Sequence, residues 1–284
     1  MRMRPHLQRL SNTVNRFVSA RYGEQFPFYY ISEFPKSGGT WLARMVADAL
    51  ELPRPEKSIF PIGCAAVLHN HWPYHPKRKR TIYLYRDGRD LAVSGFFHRM
   101  RNMNQPDLPA SMRAELKKRY DRLFGPGYDP ADTRALLPRF IEDTYERPWG
   151  VRMTWTRHIE SWYDPDRHAH VAFVSYEQLL EDCSGELARV IGHVAGKPLP
   201  DWKIDSAVEK FSIARQTGRK AGQEDRGHFI RKGIAGDWKN HFTREAAEVF
   251  DRYAGETLIR LGYEPDRSWV ERVGAPEPAV GGVA

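Results

Sequence analysis

Phe34-Pro35-Lys36-Ser37-Gly38-Gly39-Thr40-Trp41 follows an apolar, β-prone run, Phe28 to Ile31, and precedes apolar residues at helical spacing, Leu42, Met45, Val46, Ala49 and Leu50. That order spells a strand, a tight glycine loop and a helix. Such a junction suits an anion, because the first N–H groups of a helix lack internal partners and the helix dipole adds partial positive charge there. Gly38 and Gly39 let the backbone curl close to a phosphate, Ser37 and Thr40 add hydroxyls, and Lys36 adds a full charge. The nucleoside-triphosphate loop G-x-x-x-x-G-K-[ST] is a different pattern: here the lysine precedes the glycines, and no G-K-[ST] occurs in the chain.

Outward from this loop, 284 residues with 12% aromatics are enough for a substantial core. A net charge of +8 favours an anionic partner: nucleotide, nucleic acid, acidic glycan or membrane surface. Two cysteines, Cys64 and Cys183, give neither a disulfide framework nor a metal cluster. No apolar run reaches membrane-span length and no signal peptide is visible, so the expected setting is reducing and cytoplasmic. Residues 1–22 carry Arg2, Arg4, Arg9, Arg16 and Arg21 beside Leu7, Leu10, Val14 and Phe17 at helical spacing, a basic N-terminal helix or arm.

A second junction follows the basic run Lys77 to Arg80. The strand Thr81 to Tyr85 leads into Arg86-Asp87-Gly88-Arg89-Asp90-Leu91-Ala92-Val93-Ser94 and a helix. Two strand–turn–helix units with a long connection imply an α/β fold, a central, mostly parallel sheet flanked by helices in three layers. Ligands then sit at the C-terminal strand ends. The expected organisation is one domain over 23–265, with a proline-rich insertion over 101–150 as candidate lid or acceptor region, and a flexible tail over 266–284. Further along, the pattern predicts helices over 151–163, 184–194 and 205–215, a strand over 170–175, and a last helix capped by Thr243 and stopped by Gly262.

Three separated segments carry a resemblance. Pro35 to Leu42 resembles the P-K-S-G-T-T-W-L loop of sulfotransferases that use 3′-phosphoadenosine 5′-phosphosulfate (PAPS). Arg86 to Ser94 resembles that family's 3′-phosphate motif. Phe229-Ile230-Arg231-Lys232-Gly233-Ile234-Ala235-Gly236-Asp237-Trp238-Lys239 resembles its R-K-G-x-x-G-D-W-K segment. The resemblance implies a P-loop-like fold and transfer of a sulfuryl group to a hydroxyl or amine acceptor, leaving 3′-phosphoadenosine 5′-phosphate (PAP). It assigns Lys36, Ser37, Gly38, Gly39 and Thr40 to the 5′-phosphosulfate, with Lys36 also stabilising charge on the leaving oxygen. Trp41 would stack on adenine, Arg86 and Ser94 grip the 3′-phosphate, and Arg231, Lys232 and Gly233 close over it. Tyr176 matches a nucleotide-contacting tyrosine, and Phe229, with Phe211 beside it, would cover the base.

The resemblance also implies a histidine base in a T-H-L-P-like segment. His71, before Trp72-Pro73, matches best, with Asn70 in the threonine's place and His69 as its competitor. Gly39 stands where a threonine is common, and Gly88 where proline or alanine is frequent, which predicts a looser turn after Arg86. No metal is expected. The implied acceptors are a small molecule, a glycan or a lipid, with nucleic acid not expected; membrane contact through the N-terminal arm and a homodimer stay open. The competing readings are a P-loop-type nucleotide kinase and a noncatalytic binder of anionic polymers.

Overall fold

Phe28–Glu33, Thr81–Tyr85 and Val171–Ser175 are short runs dense in β-branched and aromatic residues, and a computed structural model of the chain makes each a strand. The structure describes residues 5–55, 65–164 and 169–274. Cys64, part of the proline-rich connection around it and the tail from 275 lie outside the described residues. Two compact units emerge, one drawn from 1–86 and 157–235, the other from 87–156 and 236–284.

The first unit holds a parallel four-stranded sheet in the order β2-β1-β3-β4: β1 Phe28–Glu33, β2 Ala66–Asn70, β3 Thr81–Tyr85 and β4 Val171–Ser175. Ile31 pairs with His69 on one side and Ile82 on the other, so the C-terminal ends of three strands fall in register. One face, Ile31, Val67, Ile82, Ala172 and Val174, is covered by α2 Gly39–Ala49, α8 Cys183–Ala195 and α9 Asp201–Lys210. Leu42, Met45, Val46, Leu187, Ile191 and Ile204 fill that layer, each such side chain contributing ~1.5–3 kcal/mol by leaving water. On the other face, Trp162 at the end of α6 Trp155–Trp162 stacks on Tyr83 at 5.0 Å. These are three layers within the unit, as the strand–helix alternation predicts.

Several boundaries differ from the sequence expectation. The 205–215 stretch breaks: α9 ends at Lys210, and Ser212 starts α10 Ile213–Thr217 by accepting from Arg215 N. The Ser hydroxyl satisfies a first-turn N–H, which favours a new start over continuation. The helix expected from 151 starts at Trp155. Along α1 Pro5–Tyr22, Ser19 is buried and receives the Arg78 Nε hydrogen bond, while Leu10 and Phe17 are exposed.

In the second unit, α3 Gly88–Met103, α4 Ala110–Phe124, α5 Thr133–Glu146 and α11 Arg244–Arg260 pack together. Thr243 caps α11 through Ala246 N, and Gly262 follows with φ 78°. The 101–150 insertion is built as α4 and α5, and α5 accommodates Pro138 internally. Of its aromatics, Tyr120 and Phe140 are buried, and Tyr145 stacks on Tyr253 at 4.9 Å. The expected loose turn at Gly88 is also corrected. Gly88 is buried because a Cβ there would lie 2.6 Å from Trp155 and 2.8 Å from Phe250, so packing demands glycine. Beyond 265, where a flexible tail is expected, α12 Trp269–Arg272 forms and buries Trp269 against Phe250 and Trp238.

Candidate active site

The loop after β1 takes a left-handed turn twice, at Lys36 (φ 81°) and Gly38 (φ 108°). At Gly38 only glycine fits, since a Cβ would lie 2.9 Å from the Tyr176 ring. Ser37 is fully buried and its hydroxyl donates to the Phe34 carbonyl at 2.8 Å, so it braces the loop from within. The amide of Gly39, first residue of α2, donates to Glu33 Oε2 at 2.5 Å. Thr40 stays half-buried beside it. Trp41 donates its indole N–H to the Phe211 carbonyl at 3.0 Å and meets Tyr176 edge-on at 6.0 Å.

The end of β3 lies beside that loop, at the point where the strand order turns back from β1. Arg86 Nη2 donates to the Ile234 carbonyl at 2.9 Å and Nη1 reaches the Lys36 carbonyl at 3.4 Å. Its guanidinium lies 4.2 Å over the Tyr176 ring. Tyr176 itself is the first residue of α7 Tyr176–Glu181, held by a capping box between Ser175 and Gln178. Phe229 is 51% exposed and carries Lys36 Nζ over its ring at 4.1 Å. Arg231 pairs with Glu224 at 2.5 Å, and Gly233 (φ 67°) sits where a Cβ would strike Ile213. Lys232 accepts from Gly222 N through its carbonyl. The sequence-predicted residues of the first unit therefore converge, whereas Ser94 stands half-buried on α3 and is described with the second unit.

The histidines occupy the neighbouring strand end. His69 Nε2–H donates to Glu33 Oε1 at 3.0 Å. His71 Nδ1–H donates to the Glu33 backbone carbonyl at 3.1 Å, and the carboxylate lies 4.0 Å from the same nitrogen. Because a carbonyl only accepts, this bond fixes the His71 tautomer and leaves the lone pair on Nε2. Protein packed around the His71 ring is the chief cause that lowers its pKa below the ordinary value, with Glu33 opposing, so the neutral base is the favoured form. Burial, the largest influence on Glu33, pushes its carboxyl up. The hydrogen bond and charge of His69, the charge of His71 and the Gly39 amide outweigh that and hold it below the usual range.

Ligand atoms of Glu33, His69 and His71 lie within 4.8 Å of one another. The two carboxylate oxygens, His69 Nε2 and His71 Nδ1 are engaged in the hydrogen bonds just described.

Sequence reasoning missed Glu33 and Arg219. Arg219 donates to the carbonyls of Gln223, Ile230 and Arg231, which shapes the loop that presents Phe229 to Gly233. Glu33 had one signal: a carboxylate directly before an anion-binding loop needs a partner. The same residue explains the departure at position 39. A Cβ there would lie 2.4 Å from Glu33 Cδ and 2.7 Å from His69 Nε2.

The family model of the sulfotransferase domain matches residues 65–262. The chain belongs to the sulfotransferase family, as the three motifs imply. Human sulfotransferase 2B1 is 25% identical over 261 residues, covering 78% of this chain and 64% of its own length. The 1E1 sulfotransferase of Cavia porcellus is 23% identical, over 78% of this chain and 80% of that protein. An amine sulfotransferase of Oryctolagus cuniculus is 24% identical over 81% of this chain and 80% of its own. Among solved structures, a mouse sulfotransferase complexed with PAP aligns at a TM-score of 0.59 with 21% identity, covering 88% of this chain and 91% of that one. A retinol dehydratase complexed with retinol and PAP aligns at 0.59 with 18% identity, covering 87% and 86%. These similarities bear out the α/β sulfotransferase fold. No described helix is long and apolar enough to cross a membrane.

Proposed function

We propose that this chain transfers a sulfuryl group from PAPS to a small-molecule hydroxyl, or an amine, with His71 as base. The supporting observation is the Nδ1–H bond from His71 to the Glu33 carbonyl, which leaves the lone pair of a neutral imidazole on Nε2. The PAP held by the mouse sulfotransferase supports the donor, the retinol held by the retinol dehydratase a hydroxyl acceptor, and the amine sulfotransferase of Oryctolagus cuniculus an amine.

The residues fit a 5′-phosphosulfate. Gly38, at φ 108° and with no room for a Cβ beside Tyr176, shapes the loop, the Gly38 and Thr40 amides are the loop donors, and Lys36 adds the charge. Lys36 and those amides stabilise the negative charge that grows on the phosphate oxygen as the S–O bond to PAP breaks. His71 Nε2 takes the acceptor's proton as its oxygen bonds to sulfur, and the broken bond's electron pair stays with PAP. Arg86 supplies the planar fork for the 3′-phosphate, with Ser94, Arg231, Lys232 and Gly233 assigned there by their motifs. Trp41, Phe211 and Phe229 offer aromatic faces for the adenine. The reaction uses no metal, and a cytoplasmic setting suits the free Cys183, whose thiol burial pushes up to about 11.

Calorimetric titration with PAP in EDTA, beside ATP and GTP with magnesium, tests the donor. PAP should bind without metal, and Arg86→Ala should weaken it at least tenfold while leaving adenosine 5′-phosphosulfate, which lacks the 3′-phosphate, nearly unaffected (a tenfold loss is about 1.4 kcal/mol). Preference for ATP with magnesium refutes the reading. PAP release from PAPS with 2-naphthol, androsterone and an arylamine then sorts the acceptor.

A further inference from the structure

Among the described residues, Glu33 joins three parts of the site that the motifs treat separately. It ends β1, is 3% exposed, and sits one strand from His69. One carboxylate oxygen takes the Gly39 amide, the other takes His69, and its own carbonyl holds His71. A buried anion directly before an anion-binding loop opposes phosphate binding, and it occupies an amide that the loop would otherwise offer the donor. Glycine at 39 is required to leave it room, since a Cβ would overlap both Glu33 and His69. A carboxylate kept in that place, against the interest of anion binding, points to a part in the chemistry.

We infer that Glu33 is a positioning residue for sulfuryl transfer: its carboxylate fixes His69 beside the loop and supports the positive charge that His71 gains with the acceptor's proton. This rests on His71 being the base. The charge balance is complete within the cluster: the proton moves from the acceptor O–H to His71 Nε2, the new O–S bond uses the acceptor's electron pair, and the imidazolium lies 4.0 Å from the carboxylate at Nδ1. His69 on β2 and His158 on α6 are the other titratable groups facing His71; His69 disfavours its protonation, and His158 is held neutral by burial. Glu33 is the group that favours it.

The test is Glu33→Gln, which keeps a shape able to accept from Gly39 N–H but removes the charge. PAP release from PAPS is followed with 2-naphthol and with water as acceptors, across pH, and PAP affinity is measured by calorimetry. Turnover should fall roughly 10- to 100-fold, a fraction of what a general base supplies. The acidic limb of the rate profile should move to lower pH, because His71 loses the charge that raises its pKa. PAP affinity should stay equal or tighten, since one anion leaves the loop. That split between turnover and affinity separates positioning from a merely structural role, which would weaken both together.

Parallel losses of turnover, PAP affinity and melting temperature would overturn the inference, as would an unchanged rate profile. Activity lost to EDTA and restored by Zn²⁺ would also overturn it, and would make the cluster a metal centre. Wild-type protein that fails to bind PAP sinks the sulfotransferase reading instead, before Glu33 is at issue. Should Glu33→Gln not fold, ¹⁵N NMR of the wild-type imidazoles decides. His71 must carry its proton on Nδ1 and His69 on Nε2, and either opposite tautomer overturns the assignment.

Discussion

Gly39→Ala is the substitution that most directly interrogates this architecture. Position 39 has ordinary helical geometry, so alanine in place of glycine would by itself stabilise α2 by ~1 kcal/mol. The new Cβ, however, lies 2.4 Å from Glu33 Cδ and 2.7 Å from both Glu33 Oε1 and His69 Nε2. Both side chains must move, breaking the Gly39–Glu33 and His69–Glu33 hydrogen bonds. Bonds to a charged group are worth ~1.5–3 kcal/mol each, so the net loss should be about 2–5 kcal/mol. Urea unfolding of ligand-free protein reads it. In Glu33→Ala the carboxylate is gone and His69, released from it, can turn aside, so adding Gly39→Ala should then cost nothing or restore a few tenths. The two substitutions should therefore couple by about 2–5 kcal/mol. A Gly39→Ala protein as stable as wild type, or strictly additive losses, would show that the carboxylate does not occupy this place.

Lys36→Gly should separate stability from activity: a non-glycine residue at φ 81° carries ~1–2 kcal/mol of strain, so glycine leaves urea stability equal or higher, while turnover falls by more than tenfold. For pH, His158 is buried with Nδ1 on the Tyr83 hydroxyl, and burial pushes its pKa down to about 4. The unfolded chain protonates near 6.5 and the folded one does not, so stability should fall as pH drops from about 6.5 to 4, by up to about 3 kcal/mol. His71 adds in the same direction. His158→Asn should flatten the unfolding free energy across that window, and an equally steep profile in the variant would refute the assignment.

The parts of the fold legible in the sequence were those with local periodicity. Thr81 to Tyr85 reads as a strand and is one, and the Gly38 loop with its helix follows from glycine freedom and apolar spacing. What was not legible depends on neighbours distant in the chain. Pro138 sits inside α5 where a local rule would end a helix, because the helix is held from outside by packing of Leu137, Phe140 and Ile141. Gly88 looked like looseness and proved to be a contact with Trp155 and Phe250. In Arg86 to Asp90, the family resemblance marks the arginine for phosphate. It does not show that Arg89 is buried between Asp87 and Glu264, or that Asp90 takes the Gly236 and Trp238 amides. Glu33 was invisible for the same reason: its carboxylate meets Gly39, six residues on at the start of α2, and His69 on β2.

The chain enters the sheet unit, leaves it at Arg86 and returns only at Arg157. β3 therefore pairs with β4, Thr81 opposite Val171, across about ninety residues. On a ribosome the edge of β3 is exposed while the whole of 87–156 is being made, and an open parallel edge is a template for the wrong partner. Expression of 1–156 as a fragment should yield aggregates, whereas a circular permutant that starts at 157 and joins residue 284 to residue 1 would present β4 early. The exposure of β3 during synthesis is thus a risk separate from the stability of the finished fold.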